Sequence, residues 1–152
     1  MTSQARFARD VMSEDVITAC TTDSVQDVAR LLCDRRIGGV PVLDEDGHLV
    51  GILTEDDLIV RVAGPHVPAH VELLGGIIYL ERPHEIQENL RKSMGMTVEE
   101  VMTREVVTVD DDCPLRDVAE LMLTKRVNRV PVMREGALVG IITRHDLVST
   151  LR

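Results

Sequence analysis

Two stretches of the chain hold residue types that could do chemistry, and they hold them at the same spacing. Gly51-x-x-Thr54-x-x-Asp57 in the first half is matched by Gly140-x-x-Thr143-x-x-Asp146 in the second. An apolar run, Leu49 to Leu53 or Leu138 to Ile142, leads up to each threonine. A helix-forming stretch follows, so threonine and aspartate fall at a strand-to-helix junction. A helix N-terminus offers free N–H groups and a partial positive charge, a natural place for phosphate. An aspartate one turn in can accept two hydrogen bonds from ribose hydroxyls, because a carboxylate has two acceptor oxygens. The threonine hydroxyl can donate to a phosphate or ribose oxygen. A second reading stands beside this one. Thr-x-x-Asp is close to a capping box, in which each side chain satisfies a backbone N–H of the other residue. The two roles are compatible: threonine caps while aspartate faces a ligand.

The elements that must position these residues are duplicated too. Upstream of each motif lies a strand, Val40-Pro41-Val42-Leu43 or Val130-Pro131-Val132-Met133, then a polar turn ending in Gly47 or Gly136. Glycine suits such a turn because it reaches positive φ without a Cβ clash. Further upstream, Val11-Met12 matches Val101-Met102, Thr18 matches Thr108, and Asp27-Val28-Ala29 matches Asp117-Val118-Ala119. The offset is 90 between Val11 and Val101 and 89 between Gly51 and Gly140, so one residue is lost at the turn, where indels belong. An internal repeat of this kind decides the fold.

Each half reads as strand, helix, hairpin, helix. Val16 to Thr18 and Val106 to Val109 are strand candidates. Thr22-Asp23-Ser24 supplies N-cap chemistry for a helix with Val25, Val28, Ala29, Leu31 and Leu32 on one face. Arg35-Arg36 closes it, and Gly38-Gly39 ends it. In the second half Asp110 to Asp112 precede a helix with Pro114 in its first turn. Its apolar face is Leu115, Val118, Ala119, Leu121 and Met122, and Lys125-Arg126 closes it. The last helix of the first half is expected over about 55–62. Residues 1–10 read as a loose arm or a short helix. The organisation is then 1–63 as one unit with its N-terminal arm, 64–97 as a connector, and 98–152 as a second unit. Pro65, Pro68 and Pro83 break up the connector, residues 76–80 suit a strand or buried turn, and Glu85 to Ser93 suits an amphipathic helix. It is expected to be ordered.

Composition bounds the function. A chain of 152 residues has the length of one ordinary domain, and each half alone would bury too little surface, so the halves should share a core. With one Phe, one Tyr and no Trp, that core must be aliphatic. A net charge of -9 weighs against a nucleic-acid or anionic-membrane binder, which needs a basic face. It still admits a small phosphorylated ligand, for which a few arginines suffice. No apolar run suggests a membrane span and the N-terminus lacks a signal-peptide core, so the expected place is the cytoplasm. Cys20, Cys33 and Cys113 are widely spaced and read as buried or half-buried thiols in a reducing compartment. His66 and His70 have Pro68 between them, and His48 and His84 lack a cysteine neighbour, so no metal site is expected. His145 beside Asp146 reads as an exposed helix position. No nucleophile triad or Walker-type loop is present, and the chain is not expected to be an enzyme.

The doubled Asp-Val-Met or Glu-Val-Met lead-in, the Val-Pro-Val strand, the glycine turn and Gly-x-x-Thr-x-x-Asp-Leu resemble a tandem pair of CBS domains, also called a Bateman module. The resemblance covers about 8–62 and 98–151, and the connector resembles that of stand-alone CBS-pair proteins. It implies an α+β fold of two β-α-β-β-α units packed with pseudo-twofold symmetry, and commonly a disk-shaped homodimer. It implies a regulatory role: binding an adenine nucleotide, S-adenosylmethionine or a related adenosyl ligand, and signalling to an effector protein. No cofactor is required. Carried over residue by residue, cleft one joins Thr54 and Asp57 to Thr108, Val109, Asn128, Arg129, Val130 and Pro131. Cleft two joins Thr143, Arg144 and Asp146 to Thr18, Ala19, Gly38, Gly39, Val40 and Pro41. Backbone groups after Thr18 and Thr108 would read adenine, and Val40 and Val130 would pack on it. Arg129 sits where the family often has a phosphate-binding base. Gly39 departs from that pattern in cleft two, where Arg144 is the substitute; Glu55 occupies the place matching Arg144 in the first half and would repel phosphate. The alternative is a dimerisation or interaction module that binds no nucleotide.

Overall fold

The computed structural model describes residues 6–63, 70–73, 76–79 and 95–152. Two three-stranded sheets hold the repeats. In the first half, α1 (Ala8–Val11) is followed by β1 (Ala19–Cys20), α2 (Val25–Arg35), β2 (Gly39–Leu43), β3 (Leu49–Thr54) and α3 (Glu55–Ala63). Strands β4 (His70–Leu73) and β5 (Gly76–Tyr79) form an antiparallel hairpin in the connector. The expected helix at Glu85 to Ser93 lies outside the described residues. The second half follows with α4 (Val98–Val101), β6 (Val109–Asp110), α5 (Leu115–Lys125), β7 (Arg129–Arg134), β8 (Ala137–Thr143) and α6 (Arg144–Ser149). β1 runs parallel to β2 and β2 antiparallel to β3; β6, β7 and β8 repeat this.

The first strand of each half starts later than the sequence suggests, at Ala19 and Val109 instead of Val16 and Val106. Only Ala19-Cys20 and Val109-Asp110 reach the parallel ladder on β2 and β7. Val16 to Thr18 and Val106 to Thr108 lead up to the ladder without joining it. The helix ends also differ from expectation. Arg36 and Arg126, at φ 52° and 55°, take the left-handed cap positions, ahead of any glycine. Ser24 caps α2 as expected, accepting from the Asp27 N–H at 3.1 Å, whereas Pro114 is itself the N-cap of α5.

The shared core takes a particular form: there are two aliphatic clusters, and each takes residues from the other half. The first combines Val25, Val28, Leu32, Val40, Val42 and Leu53 with Val98, Val101 and Met102. The second combines Val109, Val118, Met122, Val130, Val132 and Ile142 with Ala8, and Val11 and Met12 pack on it. Backbone bonds fasten the exchange. Ile52 and Thr103 exchange both N–H···O bonds at 2.9 Å, and Ser13 and Ile141 exchange theirs at 3.0 Å. Met96 O accepts from Val25 N–H, and Arg6 O from Leu115 N–H. Asp10 and Glu100 brace α1 and α4 by accepting from the backbone N–H groups of Phe7 and Thr97.

Two sequence signatures meet here. Met102 lies over Gly51 and Met12 lies over Gly140, so closely that a Cβ on either glycine would collide with the methionine sulfur. The methionine of each lead-in and the glycine of the opposite half's third strand are therefore one packing feature. Gly51→Ala is expected to cost about 1–3 kcal/mol through overpacking, read from urea unfolding. The Gly51→Ala, Met102→Ala double variant should lose less than the two single losses added together, because the residues are in contact.

Candidate functional site

Cleft one forms where α3 begins and the second half's lead-in passes it. A cavity of about 250 Å³ lies there, between the two halves. Ile52, Thr54, Glu55, Asp56 and Asp57 line it from the first half, and Thr103, Glu105, Val106, Val107 and Arg126 to Arg129 from the second. Asp57, one of the lining residues, is bonded through both carboxylate oxygens. Its Oδ2 accepts from the Thr54 N–H at 2.9 Å and from the Thr54 hydroxyl at 3.2 Å. Its Oδ1 accepts from the Thr103 hydroxyl at 2.9 Å, across the junction of the halves. Half of the capping box is thus formed, with Asp57 satisfying the Thr54 N–H, and the carboxylate also reaches the other repeat.

These bonds restrict what the motif can offer. The Thr54 hydroxyl proton is directed at Asp57, so in this arrangement it is not available to a phosphate. The first N–H of α3, on Glu55, donates to Gly38 O at 3.0 Å. In the second half Arg144 N–H donates to Asn128 O at 3.0 Å. The helix starts are therefore less open to an anion than the strand-to-helix junction alone suggests.

Arg129 extends from β7 across to the first half. Its Nη1 is 3.5 Å from Gly39 O, and its guanidinium fills the space a Cβ on Gly38 would need. Gly38 and Gly39 thus make room for Arg129, which is why cleft two has glycine where cleft one has arginine. Burial pushes the Arg129 pKa down, and the nearby carboxylates of Glu55 and Asp56 partly oppose this.

Of the residues expected in cleft one, Thr54, Asp57, Asn128 and Arg129 line the cavity, and Thr108, Val109, Val130 and Pro131 do not. Val130 and Val109 belong to the second core, and Pro131 is fully buried. Thr108 and Val109 border a separate open depression with Asp110, Asp112, Cys113 and Pro114. The lining is shifted toward the lead-in because the strand starts late: Val106 and Val107 pass the cavity. Their apolar character was the available signal.

Of the residues expected for cleft two, Gly38 lines this cavity, packed against Arg129, and the others do not. Thr143 and Asp146 form a full capping box: Asp146 Oδ2 accepts from Thr143 N–H and hydroxyl, each at 2.7 Å. Ala19 and Val40 lie in the first core, and Gly39 and Pro41 are buried. Val40 and Val130 therefore face their cores and present no side chain to a base. Thr18 is half-buried. Arg144 is turned to its own half, with Nε 3.3 Å from Val127 O.

At the first hairpin turn, Asp44, Asp46 and His48 bring potential ligand atoms within 4.8 Å of one another, a grouping missed in the sequence. Asp44 Oδ1 is already engaged by the Asp46 and His48 N–H groups at 3.0 and 2.8 Å. These bonds and the nearby imidazole hold its carboxyl below the usual range, chiefly through the His48 N–H.

The exchanged lead-ins, the two three-stranded sheets and the cleft lined by both halves define a two-unit architecture built on an internal repeat. The chain belongs to the CBS domain family, whose profile matches residues 8–64 and 98–152. Among its relatives, protein MJ1426 of Methanocaldococcus jannaschii is 33% identical over 151 residues, covering 94% of this chain and 89% of that one. The structure of CBSX2 in complex with AMP superposes with a TM-score of 0.72 at 27% identity, covering 97% of this chain and 96% of that one. The CBS domain pair of protein MJ0100 in complex with 5′-methylthioadenosine and S-adenosyl-L-methionine gives 0.68 at 29% identity, covering 95% and 94%. Among the described residues, no helix is long and apolar enough to cross a membrane.

The caps make a prediction of their own. Asp146→Ala and Asp57→Ala should each lower stability by about 0.5–2 kcal/mol in urea unfolding, the ordinary cost of a lost cap. Only Asp57→Ala should also speed hydrogen exchange at the Thr103 amide, since of the two aspartates only Asp57 is bonded to Thr103 of the other half.

Proposed function

We propose that this chain is a regulatory module that binds an adenosine-containing ligand in cleft one and signals its state to a partner protein. The observation that carries this is the cavity itself. Part of its lining is apolar, from Ile52, Val106, Val107 and Val127, and suits a base. The Asp57 carboxylate, which also lines it, suits ribose hydroxyls. The volume, about 250 Å³, is at the small end of ligand sites and fits a nucleoside better than a larger group. The complexes of the related CBSX2 with AMP, and of MJ0100 with methylthioadenosine and S-adenosylmethionine, support the class of ligand.

The mechanism we infer is a population shift. The Thr103 hydroxyl donates to Asp57 Oδ1. A ribose hydroxyl competes for the same oxygen. Thr103 is also paired with Ile52 through the backbone, so its side chain can be displaced while the lead-in stays on the sheet. Ligand then changes how tightly the halves are tied, and it does so only as far as it binds one arrangement better. The module works without catalysis, as a homodimer in the cytoplasm, and its organisation is two units, 1–63 and 98–152, with 64–97 between. Ile59 and Val60 on α3 and Val148 on α6 are more than half exposed and support a dimer through this helical face.

Thermal shift with AMP, ADP, ATP, S-adenosylmethionine, NAD and cyclic di-AMP, with GTP as control, tests the reading. A ligand at about 100 times its Kd adds about 2.7 kcal/mol of stability. Asp57→Ala should lose the shift and Asp146→Ala should keep it, although both lose a cap. A flat panel on folded protein would favour an interaction module without a nucleotide. Sedimentation of Ile59→Glu against the wild type reads the dimer separately.

A further inference from the structure

The charge lining of cleft one is lopsided. Glu55, Asp56, Asp57 and Glu105 face it, against Arg126 and Arg129. Glu55, Asp56 and Glu105 are exposed, and among the described residues none of them forms an ion pair. One of the two cations is less available than its charge suggests. Arg129 is half-buried, packed against Gly38 and bonded to Gly39 O. Arg126 is the exposed left-handed cap of α5. The backbone donors that would hold a phosphate at the start of α3 are engaged as well: Thr54 N–H by Asp57 and Glu55 N–H by Gly38 O. Like charges at close range oppose binding, the more so in a cleft partly shielded from water.

We propose, resting on the reading of cleft one as an adenosyl site, that Glu55 and Glu105 make it select by the charge of the ligand's 5′ substituent. Neutral and cationic groups, a thioether or a sulfonium, are accepted. Di- and triphosphates are rejected, and a monophosphate falls between. Asp57 holds the ribose in every case. Arg129 serves mainly to seal the junction at Gly38 and Gly39, and only secondarily as an anion receptor. Arginine at this position in the sequence suggested phosphate, but the carboxylates that surround it come from a different element, α3, and from the lead-in.

Calorimetric titration of the full chain with 5′-methylthioadenosine, S-adenosylmethionine, AMP and magnesium-free ATP tests this. At about 10 mM salt, the better of the first two should bind at least about ten-fold more tightly than ATP. ATP affinity should rise as salt is taken to about 300 mM, since screening relieves repulsion; attraction would give the opposite sign. Glu55→Gln with Glu105→Gln should strengthen ATP binding about ten-fold and move methylthioadenosine by less than about two-fold. Both residues are exposed, so the unliganded melting temperature checks that the variant is folded. ATP as the tightest ligand, with affinity falling as salt rises, overturns the selection while leaving the adenosyl site in place. An unchanged ATP affinity in the double variant also overturns it. Failure of all four to bind removes the adenosyl site and the selection together.

Discussion

Neither hydrophobic core of this protein can be closed by its own half of the chain. Leu53 and Val42 need Val98, Val101 and Met102 over them, and Ile142 and Val132 need Ala8, Val11 and Met12. Burying one such side chain is worth about 1.5–3 kcal/mol, and a half of this size has little stability to spare without it. The two halves are therefore bound by mutual need more than by an interface between finished domains. The glycines at 51 and 140 follow from this constraint, since a methionine of the opposite half occupies the space a side chain would take.

The cleft is a by-product of the same exchange. To place Met102 on Gly51, the chain must pass the start of α3, and Thr103 arrives within hydrogen-bond reach of Asp57. The apolar residues that follow, Val106 and Val107, become a wall before the chain joins its own sheet at Val109. Pseudo-symmetry then breaks at one side chain. Arg129 leans across onto Gly38 and Gly39, and no counterpart can lean back, because its place is held by glycine. Two similar repeats thereby give two unlike junctions.

Much of this was legible in the residues. The repeat, the Val-Pro-Val hairpins, the Ser24 cap and the Thr-x-x-Asp junctions depend on local pattern, and local pattern is what a sequence displays. The pairing of Thr54 and Asp57 with Asn128 and Arg129 followed from the family resemblance and is present in the cavity. The parts that were not legible depend on distance in the chain. The apolar character of Val106 does not by itself separate a lining residue from a strand residue, because its role comes from the two-residue ladder that starts only at Val109. Val40 and Val130 are apolar in a way that fits a base or a core equally well, and the core claimed both. Glu55 was legible as a group that would repel phosphate, but Glu105 was not, because the two lie on different halves and share a cavity only in the fold.

The exchanged lead-ins also relocate the places where the chain changes sides. The connector at 64–97 leaves the first unit at α3 and returns at Met96 and Val98, which pack on that same unit. Its length and composition are thus free of the task of joining the units. The true crossovers are two short stretches, 14–18 and 104–108, where the chain steps from one core to the other. Glu105, Val106 and Val107 belong to the second of these. Whatever fills the cleft lies against one of the two strands of chain by which each unit holds the other, and has no need of a lever to reach it.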